Sequence, residues 1–380
     1  MIYFDNSATT KPFPEVLDSF VKVSTEYFGN PSSLHNFGGL AEKLLSQARA
    51  QAAKFLNVQS NEIYFTSGGT EGNNLAIKGT AFANKKLGRH LITTNIEHPS
   101  VRESIKQLEG FGFDVTEVPV DSNGRINVTT IENAIREDTI LVSVMHVNNE
   151  VGTIQPIKEI GQLLKHYPKI KFHVDHVQGI GKVALNINDC HIDLCSISAH
   201  KFHGVKGTGL LFVRDGVKIN PLLNGGGQEK NLRSGTENVA GAVSLAKALR
   251  MILEKQQQEL GQLNLISKRL RDGLSQIEGT VVNTPEKHAA PHILNFSIPH
   301  LKSEVFVHSL EEKEIFVSTT SACSSKQKTT SSTLLAMGIQ EERAGSAIRL
   351  SLSYSNTMDE VNTVLSAIKE TIEELRKVMK

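Results

Sequence analysis

At 380 residues the chain is long enough for two or three domains and a large core, and 39% hydrophobic with 21% charged residues is the balance of an ordinary globular protein. Lys and Arg (41) nearly equal Asp and Glu (40), which gives no electrostatic reason to expect direct nucleic-acid binding or an anionic membrane surface. No apolar run approaches the roughly 18 residues of a membrane span, and residues 1–6 lack a basic region followed by an apolar one, so a cytoplasmic protein is expected.

Strand-like runs at 62–65, 90–93, 115–118, 139–144, 170–174 and 191–197 alternate with helical patterns over about the first 250 residues. One such pattern, 155–167, places Ile157, Ile160, Leu163 and Leu164 at helical spacing. The alternation predicts an α/β fold, with a three-layer large domain around a mainly parallel sheet. A long Ala-, Leu- and Gln-rich helix is expected over 239–277, with a break near Gly261. Short strands at 292–297, 316–318 and 347–353 and a charged helix over 358–380 then predict a smaller α+β carboxy-terminal domain. The expected division is 15–255 for the large domain, and 1–14 with 256–380 for the small one. The Ser/Thr/Lys-rich stretch 318–333 reads as a mobile loop.

Three cysteines do not make a disulfide framework. Cys190 and Cys195 are separated by four residues, a spacing wrong for structural zinc, and no second ligand pair follows, so no metal site is expected. Cys195 lies in an apolar run and reads as a small buried hydrophobe.

The chemistry gathers at the ends of the strand-like runs. One run delivers Ser198, His200 and Lys201; 26 positions upstream another ends in Asp175. A lysine and a carboxylate at two strand ends are the pair a pyridoxal phosphate site needs. The amine forms the Schiff base, and the acid keeps the ring nitrogen protonated so that the ring acts as an electron sink. Thr66–Gly72 contains a glycine turn opening a helix, which presents backbone N–H groups and a positive dipole end to an anion. Such an entry is equally a common helix cap; the lysine and glycine spacings of a P-loop or dinucleotide fingerprint are missing. His98, Asn149, Asp175 and Lys201 all follow strands, and in open α/β sheets such positions converge on a ligand. Singly, His98 reads as a helix cap, Asn149 as a turn residue and Arg349 as a solvated strand arginine.

Several ordered segments, Asp5–Thr10, Gly29–Ser33, Val147–Gly152, Arg233–Thr236 and Ser321–Cys323, carry a resemblance. From residue 3 to about 354 the chain resembles NifS/IscS-like cysteine desulfurases, which are class V aminotransferase-like, fold-type I pyridoxal phosphate transferases. The resemblance implies that Lys201 is the Schiff-base lysine and moves protons, that Asp175 pairs with the pyridine nitrogen and that Gln178 bonds the ring hydroxyl oxygen. His98 would stack on the ring and assist acid–base steps. Gly69, Thr70, Ser198 and His200 would hold the phosphate, with Thr236 supplied by the other subunit of a homodimer. Asn149, also beside the cofactor, and Arg349 would take the substrate carboxylate, a task suited to a bidentate guanidinium. Cys323 would attack the sulfur of L-cysteine, leaving L-alanine and a persulfide for a sulfur-acceptor protein, either an iron–sulfur cluster scaffold or a thiolation enzyme acting on tRNA or a cofactor. Lys326 and Lys328 would raise its thiolate fraction.

Two positions depart from the family pattern. His176 stands where alanine is usual, either tuning Asp175 or pointing away, and Thr320 replaces a glycine before Ser321. The long polar stretch after Cys323 resembles the long-loop class of desulfurases rather than the short-loop, activator-dependent class. An aminotransferase or selenocysteine lyase of the same fold is the nearest alternative, and neither feature that a non-catalytic scaffold would lose, Lys201 or Asp175, is missing.

Overall fold

The computed structural model describes residues 1–319 and 330–378. The chain opens with β1 (Ile2–Tyr3), α1 (Pro14–Glu26), α2 (Asn36–Leu56), β2 (Ile63–Thr66) and α3 (Gly69–Asn84). It continues through β3 (His90–Thr94), α4 (Pro99–Glu109), β4 (Asp114–Val118), α5 (Val128–Ala134) and β5 (Thr139–Met145). Then come α6 (Ile157–Leu164), β6 (Lys171–Asp175), β7 (Leu194–Ser198), β8 (Gly209–Val213) and α7 (Val239–Gln276). The remainder is β9 (Val281–Val282), β10 (Ile293–Ser297), α8 (Ser303–Glu311), β11 (Ile315–Phe316) and β12 (Ser318–Thr319), followed by α9 (Ser332–Ala336), α10 (Glu341–Gly345), β13 (Ala347–Ser351) and α11 (Met358–Val378).

Seven strands form the main sheet in the order β2-β8-β7-β6-β5-β3-β4. The five from β4 to β7 run parallel; β8 is antiparallel to both β7 and β2. Strand periodicity sorts the side chains to two faces. Phe172, Val174, Cys195, Ile197, Leu210 and Phe212 pack with residues of α1, α2, α5, α6 and α7, while Leu194, Leu211 and Val213 pack with α3 and α4. Each fully buried Leu, Ile or Phe contributes about 1.5–3 kcal/mol by leaving water. Sequence periodicity missed β8, whose short apolar run follows the glycines after Lys201 and is buried on both faces.

A second core joins Phe4, the carboxy-terminal half of α7, α8, α11 and the antiparallel sheet β12-β13-β10-β9. β1 pairs with β11, so the amino-terminal residues belong to this far end of the chain's structure. The break expected near Gly261 does not occur: α7 is one helix of 38 residues. Its two halves are anchored in different cores, with Leu245, Leu249 and Ile252 in one and Leu263, Ile266 and Leu270 in the other, and packing at both ends outweighs a glycine cost of about 1 kcal/mol. The stretch 318–333 is likewise not all loop, since Ser318–Thr319 pairs with β13 and Ser331 caps α9 by accepting from the Leu334 N–H at 3.1 Å. Among the described residues no helix is long and apolar enough to cross a membrane.

One contact sets the approach of α3 to the sheet. A Cβ on Gly209 of β8 would lie 2.6 Å from Gly68 Cα, and Gly68 has φ +152°, a conformation side-chain-bearing residues rarely adopt. Gly209→Ala is expected to push the Gly68–Gly69 turn outward and to cost about 1–3 kcal/mol of overpacking. An unchanged urea midpoint in that variant would show that the turn can yield freely.

Candidate active site

The sheet and α3 enclose a cavity of about 250 Å³ at the ends of β5, β6 and β7. Gly69, Thr70, His98, Asn149, Asp175, Gln178, Ser198, His200 and Lys201 all line it, together with Ala8, Asn73, Ser100, Met145, Val147 and Val177. The four strand-end residues expected to converge do so.

Period-two alternation along β6 turns Asp175 toward α3. There its Oδ2 accepts from Asn73 Nδ2 at 2.7 Å, while Oδ1 accepts from the Val177 N–H at 3.0 Å. Both bonds need an acceptor, so the buried carboxyl group is held oriented. Lys201 follows β7 in a short turn, and its Nζ donates to the carbonyls of Ser7 at 2.5 Å and Ala8 at 2.9 Å. Gln178 Nε2 reaches the same Ser7 carbonyl at 2.9 Å, and Thr10 Oγ1 donates to the His200 carbonyl at 2.9 Å. Residues 7–10 therefore lie across the lysine as a strap brought from the far sheet.

At the opposite wall, α3 begins at Gly69, whose Cβ would meet Val177 Cγ2 at 2.8 Å. Its first N–H groups have no partner within the helix, and Thr70 and Ser198 set hydroxyls beside them. Burial and then Lys201 hold the His200 imidazole down at about 4, so it is neutral near pH 7. His98 is also shifted down, chiefly by burial, against an opposing pull from Asp175.

Arg349 is not a solvated strand residue. It is 1% exposed, donates from Nη2 to Asp5 Oδ1 and from Nη1 to the Asn149 carbonyl, each at 3.0 Å, and keeps a buried Nε without a partner. It thus braces the Asn149 wall from behind and is not itself among the residues lining the cavity. Thr236 is exposed and away from the cavity of its own chain, on a segment fastened to α3 by Arg233 Nε and Glu71 Oε1 at 2.8 Å. Cys323, Lys326, Lys328 and Thr320 lie outside the described residues. His176 turns away from the cavity, its Nδ1 2.8 Å from that of His146, and burial leaves both imidazoles neutral. Cys190 and Cys195 are buried free thiols, and burial pushes both upward.

Sequence reasoning missed Asn73 and Ser100. Asn73 had a signal: it stands four residues after Gly69, hence on the same face of α3. Ser100 had none, because its place beside His98 follows from how α4 starts.

An amine, an oriented carboxylate and a glycine-opened helix terminus around one cavity match the aldehyde, the ring nitrogen and the phosphate of pyridoxal phosphate, and the mainly parallel seven-stranded sheet is the fold-type I architecture. The aminotransferase class-V family model matches residues 2–364. A NifS/IcsS protein homolog of Lactobacillus delbrueckii subsp. bulgaricus is 47% identical, covering 100% of this chain and 99% of its own. The cysteine desulfurase IscS of Clostridium botulinum is 45% identical over 99% of this chain and 96% of its own. A solved NifS-like protein superposes with a TM-score of 0.92 at 39% identity, covering 98% of this chain and 99% of that one. The chain belongs to the class-V aminotransferase family of pyridoxal phosphate enzymes, in its NifS/IscS cysteine desulfurase branch.

Glu97, just before His98, offers a pH test of this wall. Its Oε1 accepts from Thr94 Oγ1 at 2.7 Å and from the Met145 N–H at 2.9 Å, Oε2 is buried without a partner, and burial raises the carboxyl to about 8. An acid whose folded value is raised favours the folded state fully below its ordinary 4.5, and that advantage disappears as pH rises through about 8. Glu97→Gln should therefore gain stability relative to the parent across that window. Equal urea midpoint differences at pH 5 and pH 9 would contradict a buried neutral carboxyl.

Proposed function

We propose that this chain is a pyridoxal phosphate-dependent cysteine desulfurase that converts L-cysteine to L-alanine and carries the sulfur on Cys323 as a persulfide. The observation that supports it most is the meeting of Asp175 and Lys201 in one cavity with the amino terminus of α3. Pyridoxal phosphate, when bound, supplies an electron sink for the substrate's α-carbon. Lys201 would be the amine for its aldehyde and the group that moves the proton at that carbon. Asp175, fixed by Asn73, would hold the proton on the ring nitrogen, and Gln178 would bond the ring hydroxyl oxygen. Gly69, Thr70, Ser198 and His200 would hold the phosphate at the helix terminus, where N–H groups and dipole favour an anion.

His98 would stand against the face of the bound cofactor. Asn149 takes the substrate carboxylate, and Arg349, which here bonds the Asn149 carbonyl and Asp5, would turn its guanidinium into the cavity to join it. Attack by the Cys323 thiolate on the substrate sulfur forms the S–S bond and breaks the substrate's C–S bond; the electron pair and then a proton go to carbon, giving alanine. The persulfide passes to an acceptor protein of iron–sulfur cluster assembly or of tRNA or cofactor thiolation. The active form is a homodimer in which Thr236 of the partner subunit completes the phosphate site, consistent with its exposure on the single chain. The large unit is 15–255, the small one 1–14 with 256–380, and the protein works in the cytoplasm.

Purified protein should show a visible absorption band that changes on adding L-cysteine, with alanine and sulfide appearing together. Cys323→Ser should lose sulfide output by about 100-fold or more while the spectral response to cysteine remains. Unchanged sulfide output would overturn the role of Cys323. No band after incubation with pyridoxal phosphate would overturn the whole proposal.

A further inference from the structure

A hydrogen-bonded chain runs from Asp175 to His98 through two residues that have so far been given only structural places. Asn73 Nδ2 donates to Asp175 Oδ2 at 2.7 Å and to Ser100 Oγ at 2.8 Å. Ser100 Oγ lies 2.8 Å from His98 Nδ1, and the Ser100 backbone N–H donates to the same Nδ1 at 3.1 Å. Direction propagates along this chain. Asp175 Oδ2 accepts, so Asn73 presents its NH₂ group to it, which fixes the amide orientation. The same NH₂ occupies an acceptor position of Ser100 Oγ and frees the hydroxyl proton to point elsewhere. The backbone N–H can only donate, so Nδ1 must carry a lone pair. With Nδ1 serving as the amino-terminal cap of α4, the one proton of the neutral ring sits on Nε2, the nitrogen the cap does not use, on a ring that lines the cavity.

We infer that Ser100 and Asn73 are positioning residues that lock His98 as the neutral Nε2–H tautomer, so that His98 meets the substrate as a fixed hydrogen-bond donor and not as a proton acceptor. The inference narrows the role given by family resemblance and rests on the proposed placement of the substrate over the ring. A base at Nε2 would need Nδ1 protonated, and that proton would face an N–H donor directly. Lys201 and Arg102 add like charge around the ring, and Asp175 opposes them. Proton movement at carbon is left to Lys201, while Nε2–H is suited to an anionic atom of the substrate.

Nitrogen-15 NMR of the histidine rings in the cofactor-free and reconstituted proteins tests this without reference to turnover. The His98 Nδ1 resonance should be of the unprotonated type and Nε2 of the protonated type at neutral pH. Ser100→Ala should move the Nδ1 resonance by removing one of its two donors, and Ser100→Thr should restore it. In the loaded enzyme His98→Gln, which keeps an N–H near the Nε2 position but has no basic nitrogen, should lose clearly less kcat than His98→Ala, the split that a donor role predicts and a general-base role does not. A protonated Nδ1, or His98→Gln as impaired as His98→Ala, would overturn the inference and leave desulfurase activity standing. Absence of desulfurase turnover with the tautomer intact would instead overturn the proposed function alone.

Discussion

The site depends on the contact between one strand end and one helix. Asp175 is buried at the last position of β6, and a buried carboxylate is tolerable only with donors in place. α3 supplies the main one through Asn73, and it can come near enough because Gly69 and Gly72 present no side chain to Val177 and Ser196, where a Cβ would stand at 2.8 Å and 3.2 Å. That close approach sets the helix terminus, the proposed phosphate wall, at a fixed distance from Asp175. Small residues on α3 and polar ones on the sheet are thus two sides of a single constraint. The same face of the sheet carries His173 bonded to Ser143 at 2.8 Å and to Ser196 at 3.0 Å, so polar groups extend below Asp175 with their partners satisfied inside the sheet.

The lysine side is built from a different part of the chain. Residues 7–10 reach the cavity only because β1 pairs with β11 and Asp5 bridges to Ser351, which anchors the amino terminus in the second core. Arg349 on β13 then clamps Asp5 and the Asn149 carbonyl together. Burial raises the Asp5 carboxyl and the Arg349 charge opposes that rise, which is the usual tension of an ion pair taken out of water. A long uninterrupted α7 ties both cores into one frame. The walls of the cavity are therefore positioned by elements far apart in sequence.

The histidines show how position, not residue type, decides chemistry. His98 and His200 line the cavity, whereas His146 and His176 pair with each other behind it. His176 follows Asp175 directly, yet its ring is turned by the chain's exit from β6 toward Gly179, where an added Cβ would stand 2.6 Å from its Nδ1. Burial keeps this pair uncharged, so the departure from alanine adds a neutral hydrogen bond beneath the site and no new charge beside Asp175.

Much was legible in the sequence because the signals are local. Alternating apolar runs gave the parallel strands, the glycine turn gave the start of α3, and the rule that strand ends converge brought His98, Asn149, Asp175 and Lys201 to one place. β8 escaped because five buried residues without polar alternation carry no period, and α7 stayed whole because packing at both ends outweighs one glycine. The burial of Arg349, the Ser7–Thr10 strap and the Asn73–Ser100 bridge were decided only by tertiary structure. Sequence fixes which residues can accept, donate or react; which donor meets which acceptor depends on distances set by packing between segments that the chain itself does not place side by side.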